Sequence, residues 1–423
     1  MSSLSRWSVA RGRRVALALG QMLLSAWTLS GCFLGTYDPP PPAGKVSPED
    51  LEAYVNDLVA DADPPSVSIT VSQEQRTVYE RAFGAADGPR QVPASPQTTY
   101  RWFSVTKPLT AVAILQLAEQ DLVSLSEPAA TYLPYLQELY GENSSSITID
   151  RLLSHRAGIG DVGDAILSWV HVEGHHHQSE LLRERLPQHV HFDPARLDRG
   201  HYSNLGYMIL GAVIEAVSSE SYEDYVTNHI LVPLRMERTR FYYEDAFAAG
   251  TEHAVGSHPD DFMAFIASFS LDLATLSREC SDRRWWFEYF SPDQTPPSGL
   301  ISTSSDMVRF GRMVLGRGEL DDQRILSEAS VERMIEPKVS VSSSPVGTGF
   351  SLGQSWFITE DARGRRLLMH GGQGMAFTSL LMIRPDDALV AAVVANGTYF
   401  DGENGHRLMT VLGSMDWASS TED

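Results

Sequence analysis

Strand-like patterns occur at both ends of the chain, and a long, mainly helical pattern separates them. "SVSITV" (Ser66–Val71) alternates apolar and polar residues, and "TVYERAFG" follows it as a candidate partner strand. Near the other end, "TSLLMIRPDDALVAAVVAN" holds two apolar runs divided by "RPDD", which is typical of a β-hairpin. The sequence therefore predicts an α/β fold of the α+β type. Helices flank an antiparallel sheet built from both chain ends, and an inserted, mostly helical subdomain forms a cleft with it.

Several segments predict helices from their caps and periodicity. "SPEDLEAYVNDLVADA" has Ser47 as its cap, "ISTSSDMVRFGRMVL" has Thr303 and Asp306 in a capping-box spacing, and "GENGHRLMTVLGSM" predicts a closing helix. The helix that follows Ser104 is expected to be amphipathic. Its buried face would hold Leu109, Val112, Ala113 and Leu117.

The N-terminus has the anatomy of an export signal. Residues 1–31 hold four arginines and no acidic residue, followed by an apolar stretch too short for a confident membrane span. "LSGC" (Leu29–Cys32) resembles the bacterial lipobox, in which the cysteine is lipidated; the alternative is a simple secretory signal with an incidental cysteine. Phe33 follows Cys32, and by resemblance this favours an outer-membrane lipoprotein that faces the periplasm. Cys280, the other cysteine, would then have no partner within the chain.

These signals divide the chain into four parts. Residues 1–31 are the predicted signal peptide, and residues 32–47, with "YDPPPPAG", form a stiff proline-rich linker. Residues 48–416 form one domain, with its α/β part at 48–105 and 297–416 and its helical part at 106–296. Residues 417–423 form a tail.

The charge balance excludes one class of partner. The formal net charge is −21, so the surface should repel phosphate backbones, and no nucleic acid is expected to bind. Hydrophobic residues make up 43% of the chain, which is ordinary for a globular protein.

Ser104 and Lys107 stand three residues apart where the predicted helix begins. Side chains at this spacing are neighbours on a helix. A serine hydroxyl becomes a good nucleophile when a base takes its proton, and a lysine can do so when burial or nearby positive charge favours its neutral form. The alternatives are a plain N-cap for Ser104 and a surface charge for Lys107, and S-x-x-K alone is weak evidence.

Two later motifs add to this pair. "RGHYSNLGYMILG" places Tyr202 and Asn204 before an apolar run, where Ser203 or Asn204 could instead be a simple helix cap. "LLMHGGQGMAF" places His370 and Gly372 at the start of the C-terminal hairpin, where the glycines could let a ligand approach or simply form a turn.

The order S-x-x-K, Y-S-N, H-x-G resembles the penicillin-recognising serine hydrolases. The resemblance is to the class C β-lactamase-like branch, with its D-alanyl-D-alanine carboxypeptidases, D-aminopeptidases and esterases. "LLSHRAGI", "YEDYVTNHILVPLRMERTRF" and "PSGLISTSSDMVRF" resemble further phrases of this family. The resemblance covers about residues 48–416 and implies the β-lactamase/transpeptidase-like fold.

The resemblance implies a role for each motif residue. Ser104 would be the acylated nucleophile, Lys107 its base, Tyr202 a proton shuttle, and Asn204 a ligand of Lys107 and of the substrate amide. His370 would replace the lysine of class C β-lactamases, Gly372 would keep the strand open to substrate, and the N–H groups of Ser104 and Gln373 would form the oxyanion hole. No metal or organic cofactor is implied.

The expected function is therefore a serine hydrolase that acts through an acyl-enzyme. Its expected substrates are small esters or amides, including D-amino-acid peptides derived from peptidoglycan. The alternatives are a β-lactamase, which His370 in place of lysine disfavours, and a catalytically inactive penicillin-binding-like sensor or scaffold. The longer, more charged "FDPARLDRGHYSN", Gln373 in place of glycine and a missing glycine in "PSGLIS" depart from the family pattern.

Three further features have structural and functional interpretations. The histidines of "HVEGHHHQ" (His171–Gln178), with His189 and His191, could bind zinc but are more typical of a solvated loop. "RRWWFEYF" (Arg283–Phe290) could line the cleft or belong to the core. His155 is interpreted as a structural histidine.

Overall fold

The computed structural model describes most of the chain from Val46 onward. The described residues are 46–60, 64–160, 170–171, 177–260, 276–341, 350–360, 364–374, 376–397, 403–415 and 417. The predicted signal peptide, Cys32 and most of the linker lie outside them. Within them, no helix is both long and apolar enough to span a bilayer.

Both chain ends contribute to one antiparallel sheet, as the sequence predicts. Its strands among the described residues are β1 (Ser66–Gln73), β2 (Arg76–Asp87), β3 (Val92–Pro93), β13 (Val339–Val341), β14 (Phe350–Leu352), β15 (Phe357–Glu360), β16 (Arg366–Gln373), β17 (Thr378–Arg384) and β18 (Leu389–Ala395). These nine strands lie in the order β13-β14-β15-β16-β17-β18-β1-β2-β3. Near the middle of the sheet, β1 pairs with β18 from Val67↔Ala395 to Gln73↔Leu389, so the first strand of the chain lies beside the last.

Helices cover both faces of this sheet. In chain order they are α1 (Pro48–Ala60), α2 (Lys107–Glu119), α3 (Tyr135–Tyr140), α4 (Ile149–Leu153), α5 (Gln178–Arg185), α6 (Asn204–Ser218), α7 (Tyr222–Val226), α8 (Tyr243–Ala248), α9 (Thr295–Ser298), α10 (Ser304–Leu315), α11 (Glu328–Met334) and α12 (Glu403–Ser414). Six short strands form three two-stranded sheets: β4 (Tyr100–Arg101) with β10 (Ile301–Ser302), β5 (Val170–His171) with β9 (Ser291–Pro292), and β11 (Glu319–Leu320) with β12 (Gln323–Arg324).

The period-2 alternation of the central strands creates two cores. In β18, Ala391 and Val393 face α1 and α12, whereas Val390 and Val394 face α10 and the helical layer. Trp417, which the sequence analysis assigned to a tail, packs into the first core and is 1% exposed. The other residues of the predicted tail, 418–423, lie outside the described residues.

Helix α2 lies in the interior of the molecule. The predicted face is buried, but so are the residues between its members, Ala111, Ile114 and Leu115 among them. The amphipathic prediction is therefore wrong, because this helix packs against the helical layer and the segment before β10 and has no solvent face over its first nine residues.

The described part of the inserted region also contains β-structure. A three-stranded sheet forms from β6 (Ser257–Pro259), β7 (Ser277–Ser281) and β8 (Arg284–Phe287), in the order β6-β8-β7. Asp282 and Arg283, with φ values of 51° and 58°, form the tight turn between β7 and β8. Two successive left-handed residues match the twist of a hairpin, which explains why this segment is β-structure.

The caps agree with the sequence at two helices. Ser47 Oγ accepts the N–H of Asp50, and Asp50 Oδ2 accepts the N–H of Ser47, at 3.1 and 3.0 Å. Thr303 caps α10, but the Asp306 carboxylate accepts from Arg238 and Thr239 rather than from Thr303, so only half of that capping box forms.

Candidate active site

Ser104 lies in a tight turn between β4 and α2. Trp102 N–H donates to Leu300 O at 2.9 Å, Phe103 takes a left-handed φ of 47°, and a 3₁₀ turn over Phe103–Thr106 leads into α2. No side chain caps this turn or α2. The N-cap interpretation of Ser104 is therefore wrong, and its hydroxyl is left for another partner.

That partner is Lys107. Its Nζ lies 3.0 Å from Ser104 Oγ, 2.6 Å from Asn204 Oδ1 and 3.1 Å from Pro297 O. Lys107 is 0% exposed, so the surface-charge interpretation is wrong. All three of these acceptors are uncharged oxygens, and together they orient the amine.

The Pro297 carbonyl reaches Lys107 because α9 packs tightly between α2 and α6. Thr110 Oγ1 donates to Pro296 O at 2.6 Å, and Pro296 lies on the backbone of Gly211. A Cβ at Gly211 would be 2.1 Å from Pro296 Cγ. Glycine in the middle of α6 is therefore required for the approach that brings a carbonyl to the lysine.

The start of α6 supplies the second motif. Ser203 Oγ accepts the N–H of Gly206 at 3.0 Å, so Ser203 is the cap, as one interpretation predicts. Asn204 begins the helix and its amide oxygen binds Lys107. The Tyr202 ring lies beneath the same amine, with its centroid 4.7 Å from Lys107 Nζ. Ser203 therefore caps the helix, while its neighbours Tyr202 and Asn204 contact Lys107.

The third motif lies within strand β16 and not in a turn. Gly372 approaches the nucleophile turn so closely that a Cβ would be 1.9 Å from Trp102 O and 2.9 Å from Ser104 N. Ser379 Oγ, opposite it on β17, donates to the same Trp102 O at 2.5 Å. Glycine at this position therefore lets the backbone of β16 contact the backbone of the turn that carries Ser104. Gln373 follows Gly372 at the end of the strand.

His370, which stands where class C β-lactamases have lysine, is buried beside the site. It is 1% exposed, its Nδ1 bonds to Gly371 O at 2.8 Å, and its Nε2 has no hydrogen-bond partner among the described residues. Burial, and then the nearby Lys107, lower the pKa of His370 from 6.5 to about 3. The ring is therefore neutral at physiological pH.

A sequence model described as Beta-lactamase matches residues 51–413. The chain belongs to this family. A similar curated protein is Protein flp of Staphylococcus aureus strain MW2, which is 24% identical over 335 residues, 78% of this chain and 59% of that protein. The chain thus spans about three fifths of the length of the curated relatives it matches.

Solved structures share the β-lactamase-family fold. The octameric penicillin-binding protein homologue from Pyrococcus abyssi has a TM-score of 0.70 at 23% identity, over 89% of this chain and 79% of that one. The D-amino acid amidase from Ochrobactrum anthropi SV3, in complex with L-phenylalanine amide, has a TM-score of 0.68 at 21% identity, over 86% and 98%. The predicted fold class is confirmed, and the chain has the fold of the β-lactamase family.

The motif residues thus come together, while other candidates do not join them. Trp286, Phe287 and Phe290 are buried, and the two phenylalanines belong to the core, which decides between the two interpretations of that aromatic segment. His175 and His176 lie outside the described residues. Among the described residues, no cluster of histidine, cysteine or acidic side chains could hold a metal.

Sequence reasoning missed one neighbour of the site. His155 was interpreted as structural, but its ring stacks on Tyr202 with centroids 4.5 Å apart. It is buried, and burial followed by Lys107 holds its pKa well below the ordinary value. "LLSHRAGI" was the signal that could have found it.

Proposed function

We propose that this protein hydrolyses small esters or amides through an acyl-enzyme on Ser104. The observation that carries the proposal is the position of Lys107 Nζ, 3.0 Å from Ser104 Oγ and 2.6 Å from Asn204 Oδ1. That separation is within reach for proton transfer. Removal of a lysine from water favours its neutral amine, the form that can accept a proton from serine.

Acylation then proceeds in two steps. Lys107 takes the Ser104 proton while Oγ attacks the carbonyl carbon of the substrate, and the carbonyl oxygen becomes an oxyanion. The N–H groups of Ser104 and Gln373 are the proposed donors to it, each contributing on the order of 3 kcal/mol in the transition state. The proton passes through Tyr202 to the leaving oxygen or nitrogen, the bond to it breaks, and the acyl group remains on Ser104.

Deacylation reverses the roles. A water molecule attacks the acyl carbon and gives its proton to the same basic groups, Ser104 leaves as the free hydroxyl, and the acid product departs. Asn204 fixes Lys107 throughout and is placed to contact a substrate amide. This cycle uses side chains and backbone alone.

The charge of residue 370 bears on whether the preferred substrates carry a carboxylate. A buried, neutral His370 offers weaker attraction for a substrate carboxylate than the lysine it replaces. This supports esters and amides without a carboxylate, D-amino-acid amides among them, over penicillins as the preferred substrates. The D-amino acid amidase among the structural neighbours is consistent with this choice.

We propose an envelope location from the N-terminal sequence. The lipobox-like "LSGC" would give a mature chain that begins at acylated Cys32 and is held at the outer membrane, facing the periplasm. Mass spectrometry of the membrane fraction should find lipid on Cys32, and Cys32→Ala should leave the precursor uncleaved. A mature N-terminus at another residue would contradict the anchor.

A substrate panel tests the proposed activity. Purified protein should hydrolyse p-nitrophenyl esters and D-amino-acid amides faster than nitrocefin, and D-Ala-D-Ala peptides, which also carry a carboxylate, more slowly than the amides. A folded Ser104→Ala variant, the matched blank, should lose essentially all turnover of each. Turnover of nitrocefin above that of every ester and amide would favour the β-lactamase alternative, and no Ser104-dependent turnover of any kind would favour an inactive sensor.

A further inference from the structure

We propose that His155 is a positioning residue that fixes Tyr202 for proton transfer. The proposal rests on the proposed function, in which Tyr202 carries the proton to the leaving group. His155 follows α4, is 3% exposed and takes a left-handed φ of 56°. Such a backbone conformation is uncommon for a residue other than glycine and is worth a functional explanation.

The backbone on both sides of Tyr202 is bound to His155. His201 N–H donates to the backbone carbonyl of His155 at 2.8 Å. Ser203 N–H donates to the Nδ1 of its ring at 3.1 Å. One residue therefore holds the peptide groups before and after Tyr202, which limits the shift of the tyrosine along or across the cleft.

The His155 ring also sets the plane of the Tyr202 ring. The two rings stack with centroids 4.5 Å apart and planes 26° from parallel. Phe357 lies on the Tyr202 ring more distantly, at 6.2 Å and 17°. Stacking against a neighbour that is itself fixed by hydrogen bonds restricts displacement of the whole ring, so the tyrosine hydroxyl oxygen is held in place.

The charge state of His155 is suited to this role and not to acid–base catalysis. Its Nδ1 accepts an N–H, so that nitrogen must be unprotonated. Burial, then Lys107 and His370, keep the pKa of His155 well below its ordinary value, so the acceptor persists at neutral pH. The residue therefore acts through Tyr202 and takes no proton itself.

A set of variants separates positioning from simple stability. His155→Ala and His155→Phe remove the acceptor, and the second keeps an aromatic ring. His155→Asn keeps an acceptor near the Nδ1 position, and asparagine tolerates a left-handed φ. Tyr207→Phe is the matched control, because it removes a neighbouring buried hydrogen bond, from Tyr207 Oη to Leu153 O at 2.8 Å.

Ester turnover and thermal stability are measured for each variant. We expect His155→Ala and His155→Phe to lower kcat about 10- to 100-fold, the scale of a misplaced catalytic group, with KM changed less than about threefold. His155→Asn should recover most of the lost kcat, and Tyr207→Phe should keep kcat at a similar loss of melting temperature. In a Tyr202→Phe background, the change at His155 should cost little further turnover.

Two results overturn the proposal and are distinguishable. In the first result, Tyr202→Phe lowers kcat, but His155→Ala lowers kcat by the same factor in the native and the Tyr202→Phe backgrounds, or His155→Asn has no higher kcat than His155→Ala. His155 then does not act through Tyr202, and the proposed function stands. If Tyr202→Phe turns over as fast as the native protein, the proton-shuttle role of Tyr202 is itself wrong, and the role of His155 falls with it.

Discussion

Replacing Gly372 by alanine should disable the site by separating two backbones. An alanine Cβ would lie 1.9 Å from Trp102 O and 2.9 Å from Ser104 N, where real Cβ contacts do not fall below 3.0 Å. Strand and nucleophile turn must therefore move apart by about 1 Å, a displacement that typically costs about 100-fold in rate. Overpacking at a rigid contact costs a further ~1–3 kcal/mol of stability.

The assay compares Gly372→Ala with Gly206→Ala. At Gly206 the nearest atom to an added Cβ is Leu152 Cδ2 at 3.5 Å, an ordinary contact, and the residue lies in the first turn of α6. We expect the Gly206 variant to keep its kcat for p-nitrophenyl esters and its melting temperature. Gly372→Ala should lose about 100-fold in kcat and melt earlier. Native kcat in the Gly372 variant would refute the argument that this strand sets the position of Ser104.

Other predictions concern charge. Asn204→Asp places a carboxylate at the 2.6 Å contact with Lys107, which favours the ammonium that cannot accept a proton, so the acid limb of the kcat profile should move to higher pH. The pKa of His370 is lowered to about 3 in the folded protein, so the free energy of unfolding should fall as pH falls from 6.5, by up to about 1.4 kcal/mol per pH unit. In urea unfolding, His370→Gln should lose less stability at acid pH than the native protein. Equal losses would contradict the burial argument. Burial raises the pKa of Glu223 from 4.5 to about 7, so this carboxyl is protonated in the folded protein below about pH 7. The free energy of unfolding should therefore fall as pH rises from 4.5 to 7. Glu223→Gln, whose amide oxygen can still accept from Thr295, should therefore unfold at higher urea than native protein at pH 8, with no gain at pH 4.5.

Local sequence patterns were enough to predict the sheet and the Ser104–Lys107 pair. Alternation in β1 indicates a strand, and the apolar runs of β17 and β18 divided by "RPDD" indicate two strands that pair as a hairpin. A three-residue spacing encodes contact on one helical face. Both predictions rest on geometry that a few adjacent residues determine.

The rest of the site depends on contacts that leave no local signal. Lys107 meets Asn204 and Pro297 across 97 and 190 positions, and one of those partners is a backbone carbonyl. Only the resemblance to a family brought the motifs together in advance. The turn at Asp282 and Arg283 was missed because neither residue is the glycine or asparagine that usually marks two left-handed positions.

Intact-mass analysis of the protein during turnover tests the central claim most directly. With a slowly hydrolysed ester or a fluorophosphonate, the account predicts one adduct of the expected mass, located on the peptide that contains Ser104. The adduct should be absent from Ser104→Ala, which should fold but not turn over substrate. An adduct on a different residue, or ester turnover by folded Ser104→Ala protein, would contradict the account.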